Sequence, residues 1–290
     1  MPMTAHSPFI TAEWQRLLPD EDFRFRMGVR QGDARSFFAP PGNSDVLLAL
    51  RGRALDLWPN KYIAASPESA PFVREAVIHM MEWRGAGRLD VDGDVLTICA
   101  AAARIIEADW VLLAPDVERQ HPVVVGAVCF PSSWSLPAKL GLPMSGVHGP
   151  VPGLNEDLGR SIDTFLSRLA PGAFWERENW GLAADADLDH HPAHPRERLD
   201  EQATLESTWL RWERQLLTRL PETSAILFGI KVSTHRLDGI AAMPDIARRL
   251  ARALQTMPGN VAEYKGLARS RNVLAERLTL GGLRPPDSVP

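Results

Sequence analysis

Apolar residues recur along this chain with two periods, and the switches between them mark out its elements. Residues 69–84 carry Phe72, Ala76, Val77, Met80, Met81 and Trp83 at three- and four-residue spacing, which predicts an amphipathic helix. From Asp109 the pattern becomes extended. Trp110-Val111-Leu112-Leu113-Ala114 and Val123 to Phe130, joined by a polar connection through 115–122, predict an antiparallel pair. The helical period returns in Leu154, Leu158, Ile162, Phe165, Leu166 and Leu169, with Asn155 or a neighbour as cap. Residues 173–183 read as a third strand, and 185–200 as a polar connection holding Pro192 and Pro195. Leu210, Trp212 and Leu216 then share one strand face, interrupted by Arg214. Ile226, Phe228, Ile230 and Val232 share a face of the next strand, with Pro221-Glu222-Thr223 as the turn between them. Residues 244–256 and 261–278 predict two closing helices. Upstream, Phe23 to Val29 alternates aromatics with arginines and reads as a short strand or packed arm. Residues 44–57 are a short helix or an extended piece, and 90–94 an acidic turn around Gly93.

Two strands, a helical section and three more strands give an α+β chain. That order resembles a PAS domain, a five-stranded antiparallel sheet with helices inserted after its second strand. The resemblance implies a half-open pocket between sheet and inserted helices. On this reading residues 1–105 form an N-terminal extension packed on the main body. Residues 106–240 form the PAS-like core, and 241–290 the C-terminal helices.

Composition narrows the function. The 290 residues are 45% hydrophobic and 23% charged, enough for a substantial core. A net charge of −4 without any basic run argues against nucleic acid. Met1 to Leu18 lacks a charged start followed by an apolar stretch, so no signal peptide is read. No window approaches the roughly 18 apolar residues of a membrane span, and no membrane partner is expected. The only two cysteines, Cys99 and Cys129, lie in apolar runs and read as buried thiols of a reducing, cytoplasmic setting. An ordinary iron–sulfur cluster takes four cysteines, so redox chemistry here would draw electrons from another protein.

Several separated motifs carry a family resemblance. They are Arg26-Met27-Gly28-Val29-Arg30; Trp134-Ser135 with Lys139-Leu140-Gly141; and His148-Gly149-Pro150-Val151-Pro152-Gly153. Downstream stand Arg177-Glu178-Asn179-Trp180, Trp212-Glu213-Arg214-Gln215-Leu216-Leu217 with Arg219-Leu220-Pro221, Ala225-Ile226-Leu227-Phe228 and Tyr264-Lys265-Gly266-Leu267. Together, from about residue 23 to 267, they resemble the haem-dependent oxidative N-demethylases, bacterial proteins built on a haem-binding PAS domain. The resemblance implies a haem b iron centre, a monooxygenase reaction with O2, and a small secondary amine such as dimethylamine as substrate. It also implies a separate flavin and iron–sulfur reductase as partner. The chain departs from the family at Gln31-Gly32-Asp33-Ala34 and at Lys231-Val232-Ser233-Thr234-His235.

Those implications single out residues. A haem iron takes one protein ligand and keeps its opposite face open for oxygen. His148, fixed between glycines and prolines in the helical insert, is the candidate axial ligand, and His235, at the end of the last strand, is its rival. Propionates favour arginine and lysine. Arg214 is the first candidate because it interrupts an apolar strand face, where a buried charge needs haem or another carboxylate as partner. Glu213 points the other way on that strand. Lys139 and Arg177 are further candidates. Trp212, Asn179 and Trp180 either line the pocket or pack the core. His190-His191-Pro192-Ala193-His194 invites a metal reading, but its prolines break a helical ligand spacing and a solvated loop is the default. His79 reads as packed, and His6 and His121 as exposed loop residues. No catalytic residue is assigned. The competing function is a haem-based gas or redox sensor or a non-catalytic haem-binding PAS protein, and a haem-free member binding another small molecule is the third.

Overall fold

Both periodic patterns fold into a single sheet with a helical layer on each face in this computed structural model, which describes residues 8–115 and 120–281. In chain order the N-terminal part runs α1 (Pro8–Leu17), β1 (Arg30–Gln31), α2 (Ala34–Phe38), α3 (Ser44–Leu57), α4 (Pro59–Tyr62), β2 (Ile63–Ala65), α5 (Ala70–Arg84) and α6 (Val95–Ala103). The middle holds β3 (Asp109–Leu113), β4 (Val123–Ala127), α7 (Met144–His148), α8 (Leu154–Arg168), β5 (Phe174–Ala183), β6 (Trp209–Arg219) and β7 (Ile226–Arg236). It closes with α9 (Leu237–Ala241), α10 (Pro244–Thr256), α11 (Gly259–Tyr264) and α12 (Arg271–Gly281).

The α+β class holds, but the sheet has seven strands rather than five, in the antiparallel order β1-β5-β6-β7-β3-β4-β2. The two extra strands come from the N-terminal part and occupy the two edges. Arg30 pairs with Glu176, and Ile63 to Ala65 pair with Ala127 to Val125. Strands of two and three residues are too short to display a period; an unsatisfied neighbouring edge recruits them. The 44–57 segment resolves as helix α3. The expected single helix over 261–278 is two, because Gly266 takes φ +69° and ends the first. There Gly266 N donates to Glu263 O at 2.9 Å and Leu267 N to Ala262 O at 2.7 Å, a left-handed helix stop.

β4 also ends earlier than its apolar run. The buried Asp109 carboxylate accepts the amides of Cys129 and Phe130 at 2.7 and 2.8 Å, which turns the chain out of the ladder. Arg51, fully buried on α3, donates to Asp109 Oδ1 at 2.6 Å and to Ala103 O at 2.8 Å, so one ion pair ties α3, α6 and β3 together.

Side chains alternate across the sheet, so each strand feeds two cores. One face sends Val111, Leu113, Leu217 and Ile226 against Ile162, Phe165 and Leu166 of α8. The other sends Trp110, Leu112, Leu216 and Leu227 against α2, α5 and α6, and Leu210 and Trp212 against Trp14 of α1 and the α10–α12 helices. Gly229 of β7 makes one close approach possible: a Cβ there would stand 2.9 Å from the Phe37 ring. No described helix is long and apolar enough to cross a membrane.

Candidate functional site

On the α8-covered face, the strand period places polar side chains in a row that is buried along β6 and more open along β5. β5 contributes Arg177 and Asn179, two and four residues beyond Trp175. β6 contributes Arg211, Glu213 and Gln215, ahead of Leu217, and the register sets Arg177 beside Gln215 and Asn179 beside Glu213. Glu213 is buried, and its Oε2 accepts the amides of Gln215 at 2.8 Å and Asn179 at 3.2 Å.

His148 is the last residue of α7 and reaches this row from above. Its backbone is fixed on both sides. Lys139 Nζ donates to Val147 O at 2.9 Å and Val151 N to His148 O at 2.9 Å, while Gly153, at φ +79°, turns the chain into α8. Burial, with Arg177 and Lys139 adding positive charge nearby, pushes the His148 pKa down to about 4. The imidazole is therefore neutral at physiological pH, with its lone pair available. Among the described residues no side chain or backbone group hydrogen-bonds its ring nitrogens.

Three cations, Arg177, Arg211 and Lys265, draw on one buried carboxylate, Glu213. Burial lowers the Arg177 pKa, opposed by Glu213 and by Glu178, which is itself paired with Arg30 at 2.6 Å across the edge. Its Nη2 reaches Arg26 O at 3.5 Å, while its Nε is buried without a partner among the described residues. Lys265, at the α11 stop, donates to Trp180 O at 2.9 Å; burial lowers its pKa and Glu213 counteracts. Burial also lowers the Lys139 pKa. With Arg177, Arg211 and Lys265 sharing Glu213, buried cations outnumber the carboxylates facing them, an excess that an anionic ligand would offset.

The structure thus brings His148, Arg177 and Lys139 together. Arg214, Trp212 and His235 project from the opposite face. Arg214 finds a carboxylate partner in Glu176 at 3.3 Å and lies 6.0 Å from the Phe37 ring. Trp212 packs on Trp14 at 4.9 Å, and His235 on the same two rings at 5.0 and 5.9 Å with Ser233 Oγ 3.0 Å from its Nε2. Both faces of β6 are buried, so an apolar face does not single out the inward one. Trp180 shares that opposite face, whereas Asn179 joins the polar row.

The histidine-rich stretch is not a solvated loop: His190 and His191 are buried. His190 N donates to Pro131 O at 3.0 Å, and His194 Nε2 meets the buried Tyr62 hydroxyl at 2.9 Å while that hydroxyl donates to Asp189 at 2.5 Å. No group of three metal-ligating side chains exists among the described residues. His121 is likewise buried, its Nδ1 3.3 Å from Ala114 O, and His79 stacks on Trp83 at 5.4 Å. His6 lies outside the described residues.

A family model for the haem-dependent oxidative N-demethylase, alpha subunit-like proteins matches residues 87–275. The chain belongs to this family. All of His148, Lys139, Arg177, Glu213 and Lys265 fall inside the matched span. For a haem-dependent N-demethylase relative, the group's fit can be judged on the polar row itself. A neutral imidazole without a hydrogen-bond partner, an orphaned buried Nε on Arg177 and a local excess of positive charge fit, in donor chemistry, a group that takes one nitrogen ligand at its metal and carries carboxylates.

Proposed function

We propose that this chain is the haem-binding subunit of an oxidative N-demethylase acting on a small secondary amine in the cytoplasm. His148 would supply the axial nitrogen to haem b, and Arg177, Lys139 and Lys265 would receive its propionates. The observation that carries this reading is the neutral His148 imidazole, unpartnered among the described residues, beside the orphaned Nε of Arg177. The helical segment between β4 and β5, lying over one face of the five long strands, supports a PAS-like arrangement.

When bound, the haem would supply O2 activation with electrons from a separate flavin and iron–sulfur reductase. The chain's own residues do the rest. The α7 stop and Lys139 fix the His148 backbone, burial keeps its ring unprotonated, and Glu213 stays oriented by two amides to balance Arg177 and Lys265. In the net reaction one N-methyl carbon leaves as formaldehyde, one O2 oxygen ends in it and the other in water, with two electrons and two protons consumed.

Haem titration of the purified protein followed at the Soret band tests the reading. Wild type should bind one haem, and His148→Ala should shift the band and lower the affinity. Incubation with reductant, O2 and dimethylamine should then release formaldehyde. A spectrum and affinity unchanged in His148→Ala would remove His148 from the role. Haem binding without formaldehyde would reject the enzymatic reading.

A further inference from the structure

We infer that a second site, a cleft between the C-terminal half of α8 and the start of β5, binds a small planar aromatic anion. The cleft has a volume of about 500 Å³. That lies inside the range of small-molecule sites and is too small for a folded partner. Phe165, Leu169, Trp175 and Val29 line it together with the exposed Arg160 and Arg168. The Phe165 and Trp175 rings meet edge to face at 5.9 Å and 85°. Trp175 is only half-buried, so apolar aromatic area remains exposed in a concavity.

The two arginines supply the charge. Arg160 and Arg168 are eight residues apart on α8, on one face and roughly 12 Å apart along the axis. Long guanidinium arms can close that gap over a ligand. Some surface arginines of this molecule are paired, such as Arg248 with Asp20 at 2.8 Å and Arg269 with Glu201 at 2.6 Å, while others, such as Arg53, Arg88 and Arg198, are exposed but line no cleft of this kind. Neither Arg160 nor Arg168 has an ion pair or a guanidinium hydrogen bond among the described residues, although Glu156 and Asp157 stand one turn before Arg160. Two free forked donors beside an aromatic lining suit a ring that stacks and a carboxylate or phosphate that accepts. The cleft uses none of His148, Arg177, Lys139 or Lys265, so the inference does not rest on the haem reading.

Isothermal titration of the full chain with adenosine 5′-monophosphate and with 2-naphthoate tests it, the first presenting a phosphate and the second a carboxylate. Adenosine and inorganic phosphate serve as single-feature probes, and Arg248→Gln as a control variant. At least one of the two aromatic anions should bind more tightly than adenosine or phosphate alone. Arg160→Gln and Arg168→Gln should each weaken that binding about tenfold or more, with Arg248→Gln without effect. Both exposed substitutions should leave the melting temperature and haem uptake unchanged. Absence of heat with both aromatic anions, affinity indifferent to Arg160→Gln and Arg168→Gln, or phosphate binding as well as the aromatic anions would overturn the inference. Loss of haem uptake in Arg168→Gln would overturn it too, by merging the two sites.

Discussion

The neutral state of His148 has a thermodynamic signature that needs no haem. In the unfolded chain its imidazole titrates near 6.5; in the folded protein it titrates at about 4, because burial opposes the charged form and Arg177 and Lys139 repel a proton. Between these values the unfolded state binds a proton that the folded state refuses. Stability is therefore unaffected above about pH 7, falls as pH drops through 6.5, and stops falling for this reason near pH 4. A tenfold change in proton affinity is worth about 1.4 kcal/mol, so the gap between the two states amounts to about 3 kcal/mol, and water at the ring's exposed edge trims it to about 2. Replacing His148 with Gln removes the titration and leaves every other group in place, including His190, whose pKa burial also lowers to about 4. Urea unfolding of wild type and His148→Gln without haem, at pH 7, 6, 5 and 4.5, gives the comparison. The variant should gain on wild type at up to about 1.4 kcal/mol per pH unit below 6.5. A stability gap constant across that window would refute the shielding of this ring. By the same argument haem affinity through His148 should be level from pH 8 down to about 5.

Three further outcomes follow from the geometry. Arg177→Met removes a buried guanidinium with an orphaned Nε; the haem-free protein should melt at the same temperature or higher, while haem titration should show ten- to hundredfold weaker binding. Asp109→Ala leaves Arg51 buried without its carboxylate and frees the Cys129 and Phe130 amides, and urea unfolding should register a loss of about 3–5 kcal/mol. A loss below about 1 kcal/mol would contradict the role given to that pair. Gly229→Ala pushes a methyl into the Phe37 ring and should cost about 1–3 kcal/mol in the same assay.

The five long strands and the helices α5, α8 and α10 could be read from apolar spacing, because each buries a face continuous enough to show its period. The edge strands could not. Arg30-Gln31 and Ile63 to Ala65 are extended because β5 and β4 offer unpaired amides, which is a property of their partners. His148, Arg177 and Lys139 were singled out through the family resemblance, and the structure places them near one another. Of the two partners expected for Arg214, haem or another carboxylate, the structure shows the carboxylate, Glu176, for a physical reason. The row Leu210, Trp212, Leu216 is apolar and faces a core, but the alternate row of Arg211, Glu213 and Gln215 is also buried, and only the second lies under α7 and α8. The signal that could have chosen between them is polar alternation on two neighbouring strands at once, with Arg177 and Asn179 facing Gln215 and Glu213. Lys265 appeared only within the Tyr264-Lys265-Gly266-Leu267 motif, with no role assigned; its arrival at Trp180 depends on the helix stop at Gly266.

The span shared with the family begins at residue 87, yet the sheet it contains is finished by residues that come earlier. Cut away everything before that point and β4 and β5 are left with bare amides and carbonyls along their outer margins, the kind of adhesive border along which chains stack. The opening third of the molecule works as a selvedge, and a shortened form lacking it should be recovered as multimers or precipitate in place of a monomeric domain.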